Sequence, residues 1–204
     1  MTGAIAPRAA RLADLPAAPV LALLDLVPSA PGSLAALQIR PAEVDGRVLV
    51  EVAGSALMGR IEADGDCARP VAIPKAPLAM LRRRHPDADR LVLDQLEPGV
   101  GLRSFGADAT VAITCPAAQL LPELPMVELP ERPNPAAGDS LPLLLDPRLL
   151  MRALAVLHRL GCDRVRLELV SHAVVGAAVA IQPGPGCELS GSIQLARCLP
   201  PEAR

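Results

Sequence analysis

The sequence predicts an α+β fold made of two copies of one unit, in which a short strand and an amphipathic helix precede an antiparallel meander. Three observations carry that expectation. Runs that alternate apolar and polar residues recur between glycine- and aspartate-containing turns, as half-buried strands do. Two stretches carry convincing helices, and both are followed by such runs. These two stretches also match each other: "IPKAPLAMLRRRHPDADRLVLDQL" begins at Ile73 and "LDPRLLMRALAVLHRLGCDRVRLEL" at Leu145.

Prolines divide the chain, because they disfavour helix interiors and central strands. Residues 1–36 are Ala/Pro-rich and read as an N-terminal arm, with a short helix candidate at Val20 to Leu26. Residues 37–115 form the first unit. Its strands are "LQIRP", "RVLVEVAG" and "ALMGRIEAD", with Asp45-Gly46 and Gly54-Ser55 as turns, then "RPVAIP". A helix in "PKAPLAMLRRRHPDAD" is ended by Pro86, and "DRLVLDQL", "GVGLRSF" and "ATVAIT" return to strand. Residues 116–139, "PAAQLLPELPMVELPERPNPAAGD", are proline-dense enough to read as an extended connector. Residues 140–204 form the second unit: "SLPLLL" as a strand, a helix, then "DRVRLELV", "VVGAAVAI" and "ELSGSIQLARCL". Asp146 is placed to cap that helix, Pro147 fits its first position and Gly161 is placed to end it.

The match between the two stretches extends to their parts. Each has a strand ending near a proline (Pro74, Pro147), a helix with basic residues, and an Asp-Arg opening to the next strand. Asp89-Arg90-Leu91-Val92-Leu93-Asp94 answers Asp163-Arg164-Val165-Arg166-Leu167-Glu168, and both copies end in a strand, "ATVAI" and "AAVAI". A strand, helix and meander occurring twice across a proline-rich crossover resembles the domain of the DNA sliding clamps, closest to the β subunit clamp of bacterial DNA polymerase III. "LLLDPRLLMRALAVLHRLGCDRVRLEL" and "VAITCPAAQLLPELP" carry the likeness, which spans Leu37 to Leu199. It implies a DNA-clamp-like domain of two β-α-β-β-β half-domains, with antiparallel sheets outside and two helices side by side on the inner face. It also implies duplex DNA as partner through its phosphate backbone, with polymerase or other replication proteins as further partners. The bacterial clamp chain carries three such domains where this one has sequence for about one, so ring closure implies a homo-oligomer.

Charge placement bears on that expectation. The chain holds 20 basic and 22 acidic residues, so its overall field favours no polyanion and any such preference must be local. At roughly 100° per residue, Arg152 and Arg159 fall within about 40° of Arg148. Those three form one stripe, opposite Leu149, Leu150, Ala153, Val156, Leu157 and Leu160. On the earlier helix Leu78 and Leu81 share a face with His85, while Lys75 and Arg82 share another and Arg83 lies beside it. Arginines on the outer face of a soluble helix are ordinary, and Arg159 near a C-terminus also complements the helix dipole. Neither helix body holds an Asp or Glu to pair with them, which points to phosphate contact by Lys75, Arg82, Arg83, Arg148, Arg152 and Arg159.

Several chemistries find no support. There is no Trp or Tyr and one Phe, so stacking platforms for single-stranded nucleic acid are missing. Cys67, Cys115, Cys162, Cys187 and Cys198 form no CxxC and lie at no ligand spacing from His85, His158 or His172, which read as packing or surface residues. The cysteines read as reduced thiols in a cytoplasmic protein without leader or membrane anchor. "QPGPGCELSG" lacks a phosphate-loop lysine, and "VAGSALMG" is no nucleophile elbow. No catalytic residue, cofactor or metal site is expected. The leading reading is a non-enzymatic clamp-like accessory to replication or repair, a processivity factor of the kind a phage or mobile element carries. The second keeps the fold without DNA, as an interaction module or decoy that binds replication proteins. The third, an enzyme assembled from scattered acids and histidines, has no constellation behind it.

Overall fold

A computed structural model describes residues 10–27, 36–54, 57–116, 120, 145–172 and 176–196. They form one domain of two antiparallel sheets, in which the two helix-and-meander units read from sequence are joined by a further strand, helix and meander ahead of them. The first runs β1 (Arg11–Pro16), α1 (Ala17–Leu23) with a 3-10 turn (Leu24–Leu26), β2 (Ala36–Pro41), β3 (Arg47–Ala53) and β4 (Leu57–Asp64). A two-residue strand β5 (Asp66–Cys67) leads to the second: β6 (Val71–Pro74), α2 (Lys75–Arg84), β7 (Arg90–Leu96), β8 (Gly99–Phe105) and β9 (Thr110–Cys115). The third contains α3 (Pro147–Arg159), β10 (Val165–His172), β11 (Gly176–Pro183) and β12 (Ser190–Ala196).

The segment read as an arm is therefore part of the fold, and the boundary at residue 37 cuts through the first unit. Pro16 ends β1, and Pro19 sits in the first turn of α1, where a missing N–H breaks no helical bond. Prolines that looked like breakers are positioned as punctuation. "SLPLLL" apart from Leu145, and the connector apart from Pro116 and Leu120, lie outside the described residues.

Two antiparallel sheets result, ordered β5-β1-β7-β8-β9 and β10-β11-β12-β4-β3-β2-β6. Units one and two exchange strands reciprocally. The strand ahead of α1, β1, pairs with β7 of the second unit, and the strand ahead of α2, β6, pairs with β2 of the first. The third unit joins through β12, which pairs with β4 from Ser190↔Glu62 to Leu195↔Leu57 and so extends one sheet to seven strands. Gly191 makes that junction possible. Its φ is +143°, and a Cβ there would lie 2.3 Å from the Arg60 carbonyl oxygen.

One face of each sheet builds the core. Leu37, Ile39, Val50, Val52, Ile61, Ile193 and Leu195 on one sheet meet Leu15, Leu91, Leu93 and Leu102 on the other, with Val20, Leu23, Leu78, Leu81, Val156 and Leu157 from the helices. On the far face of the seven-stranded sheet, Gln38, Glu51 and Arg60 lie abreast. Glu51 is fully buried yet accepts from Arg60 Nε at 2.7 Å, and from Arg40 Nε and Gln38 Nε2 at 3.1 Å each. A buried carboxylate so surrounded meets the requirement that a desolvated charge be paired.

Candidate nucleic-acid interface

The three helices share one side of the molecule. α1 rests on β3, β4 and β7, and lies against both α2 and α3. Its position explains its sequence, since "AAPVLAL" is buried at every residue except Ala18. Covered on both flanks and beneath, it has no polar stripe to show. α2 and α3 flank it and keep one face each in solvent. α3 begins as its sequence predicts, with Asp146 Oδ1 accepting from the Arg148 N–H at 2.8 Å and Pro147 next, and it ends at Gly161 with φ +82°. Ala153, Val156 and Leu157 are buried beneath it. In α2, Leu78, Leu81 and His85 are buried together, and His85 Nδ1 meets Ser104 Oγ at 2.8 Å.

The acid that the helix sequences lack comes from the 3-10 turn after α1. Asp25 lies between the flanking helices, accepting from Arg82 Nη1 of α2 at 2.7 Å and from Arg159 Nη1 of α3. Burial pulls its carboxyl upward, but the hydrogen bonds and charges of Arg82 and Arg159 outweigh burial and hold it below its ordinary 3.8. Lys75 also turns inward, donating from Nζ to the Val27 carbonyl at 2.5 Å. Burial lowers its pKa first, and the nearby charges of Arg152 and Arg82 add to that against the opposing pull of Asp25.

The six predicted residues thus gather on the helix face but divide by role. Lys75, Arg82 and Arg159 make bonds that fasten the helices to the turn. Arg83, Arg148 and Arg152 are exposed, and no hydrogen bond or ion pair holds their guanidinium groups among the described residues. Arg84, which the sequence reading left out, is exposed beside Arg83 in the last turn of α2. The outward cations are therefore Arg83, Arg84, Arg148 and Arg152, with Arg159 half-exposed. Asp25 could not be found from sequence, because its relation to Arg82 and Arg159 exists only across tertiary contacts.

Among the described residues no group of His, Cys, Asp or Glu could hold a metal ion, and no helix is long and apolar enough to cross a membrane. Cys115 and Cys162 are buried as small apolar side chains, while Cys67 and Cys187 are half-buried. Cys162 and Cys187 approach to 2.6 Å between sulfurs, and burial, then the Cys187 contact, pushes the Cys162 thiol up to about 12.

Two antiparallel sheets with the helices gathered on one side, built from repeated strand, helix and meander units, constitute a sliding-clamp-like fold. No protein-family model matches the sequence, and no curated protein matches it. Among solved structures, the chain is similar to a candidate DNA polymerase III beta subunit from Eubacterium rectale, at 10% identity and a TM-score of 0.62, over 93% of this chain and 66% of that one. Sliding clamps from Caulobacter crescentus and Bacillus subtilis also match, at 15% and 12% identity and TM-scores of 0.44 and 0.43, each with 52% of its length covered. The chain thus spans between about half and two thirds of the length of these three structures.

Proposed function

We propose that this chain is a non-enzymatic, clamp-like accessory to DNA replication or repair that holds duplex DNA against α2 and α3 through phosphates. The observation that carries the reading is the set of outward arginines Arg83, Arg84, Arg148 and Arg152 on a face where the acid between the helices, Asp25, already pairs with Arg82 and Arg159. Cations that are not neutralised locally produce a positive surface on a protein whose formal net charge is -2. Contacts of this type hold the backbone without reading bases, so they permit movement along the duplex.

The test is fluorescence anisotropy with random-sequence duplexes across a salt series. Binding independent of sequence is expected, with log affinity falling linearly against log salt. Charge reversal of Arg83, Arg84, Arg148 and Arg152 to Glu should abolish it while leaving the circular dichroism spectrum unchanged. Full affinity in that folded variant would remove the helix face from the account. An interaction module without DNA is the second reading, favoured by the exposed apolar side chains Met151, Leu167 and Leu169 of the third unit, and it predicts no duplex binding in either protein.

A further inference from the structure

Two cysteines of the third unit meet where two loops converge. The first loop closes α3. The Gly161 N–H donates to the His158 carbonyl and the Cys162 N–H to the Leu157 carbonyl, each at 3.0 Å, the pair of bonds by which a helix ends on a glycine at positive φ. Cys162 is thereby fixed at the helix end, and its side chain belongs to the buried core. The second loop joins β11 to β12. The Gly184 N–H donates to the Arg164 carbonyl at 2.8 Å, and a Cβ on Gly184 would lie 2.8 Å from that same oxygen, so a glycine is needed for so close an approach. The Cys187 N–H then returns to the Gly184 carbonyl at 3.3 Å across Pro185 and Gly186, the latter at φ +88°. Both cysteines are therefore placed by backbone hydrogen bonds, and their sulfurs stand 2.6 Å apart.

The surroundings of the pair are unequal. Cys162 is buried, whereas Cys187 is half-buried and lines a cavity of about 160 Å³ with Asp163, Arg164, Gly184 and Pro185. A small molecule in that cavity meets Cys187 and has Cys162 behind it. The proton divides the same way. Burial first, and Cys187 second, push the Cys162 thiol up to about 12, so it keeps its proton at neutral pH and can donate it toward the Cys187 sulfur. Cys67, by contrast, donates to the Arg69 carbonyl at 3.1 Å.

We propose that Cys162 and Cys187 are a reversible dithiol–disulfide site whose oxidant is a small hydroperoxide and whose product clasps the end of α3 to the β11–β12 turn. The Cys187 thiolate attacks one oxygen of hydrogen peroxide; the O–O bond breaks, hydroxide leaves and takes up a proton, and a sulfenic acid remains on Cys187. The Cys162 sulfur then attacks the Cys187 sulfur, and its proton passes to the departing hydroxide. Two thiols and one peroxide thus give one disulfide and two waters. A dithiol reductant restores both thiols by exchange. The bond closes a loop between residues 25 apart that contains β10 and β11, so it ties the helix to the sheet on which it lies. None of the arginines proposed to meet DNA takes part, so the two proposals fail separately.

The experiment is titration of the full chain with hydrogen peroxide at neutral pH, followed by thiol counting in denaturant, intact mass and peptide mapping. Two of the five thiols should be lost, the mass should fall by that of two hydrogens, and the peptide bearing Cys162 should be linked to the one bearing Cys187. Dithiothreitol should reverse all three changes. The oxidised protein should melt roughly 5–10 °C higher than the reduced one. Cys162→Ser should halt the reaction at the sulfenic acid, trapped by dimedone on Cys187, whereas Cys187→Ser should leave Cys162 unlabelled. If neither variant folds, the unaltered chain still decides. Linkage between other cysteines or between chains, sulfinic acid in place of a disulfide, or a melting temperature indifferent to the bond would each overturn the inference.

Discussion

Replacing Asp25 by asparagine keeps the shape of the 3-10 turn and deletes the carboxylate that joins α2 to α3. The side chain is 28% exposed and its partners Arg82 and Arg159 are 37% and 51% exposed, so solvent screens both pairs. At about 0.5–1 kcal/mol for each screened pair, D25N should cost about 1–2 kcal/mol. For a chain of this size that lowers the melting temperature by roughly 3–6 °C. The sign with pH follows from the depressed carboxyl: its contribution is complete above the ordinary value of 3.8 and is lost as pH falls through the lower folded value. The stability difference between wild type and D25N should therefore be constant near neutrality and close at acid pH. DNA affinity should move the other way. Arg159 is released to solvent and Arg82 keeps only its bond to the Leu21 carbonyl, so up to two added phosphate contacts steepen the slope of log affinity against log salt by up to about 2. Anisotropy titrations at about 50 mM salt should show binding roughly three- to tenfold tighter than wild type. A folded D25N protein whose duplex affinity and salt slope equal those of wild type would refute the assignment of Asp25 as the internal counter-charge of the proposed DNA face.

Two further outcomes test the scaffold. Gly191→Ala forces a side chain toward the Arg60 carbonyl at a positive φ and should destabilise the β4–β12 junction by at least about 2 kcal/mol, seen as early loss of protection in β12 amides during native-state hydrogen exchange. Glu51→Ala leaves Arg40, Arg60 and Gln38 without their shared acceptor and should cost about 3 kcal/mol in urea unfolding; a change below about 0.5 kcal/mol would falsify the buried network as a stabilising element.

Much of the fold was legible because apolar and polar residues alternate along several strands and the outer helices keep one face in solvent. β4 shows the alternation that a half-buried strand imposes, and α3 carries its cap, its proline and its terminal glycine in sequence. α1 reads in sequence as part of an arm for the opposite reason. A helix covered by two sheets and two other helices is apolar all round, and in an Ala/Pro-rich segment it offers no stripe to set its period. The duplication visible in sequence joins units two and three, whose helices are peripheral and share basic outer faces, and the central place of its helix hides the first copy. The same limit applies to the site. Arginines on one face of α3 follow from helical geometry, but the distinction between Arg152, left outward, and Arg159, bonded to Asp25, depends on a turn 134 residues away in sequence.

The β4–β12 ladder also bears on how this molecule can change over evolutionary time. Because the third unit is held by a run of backbone hydrogen bonds from Ser190↔Glu62 to Leu195↔Leu57, its position is set by sheet register. Outward side chains along that ladder can change without moving its register, so the architecture can persist while its surface drifts. Residues such as Gly191, by contrast, have almost no latitude.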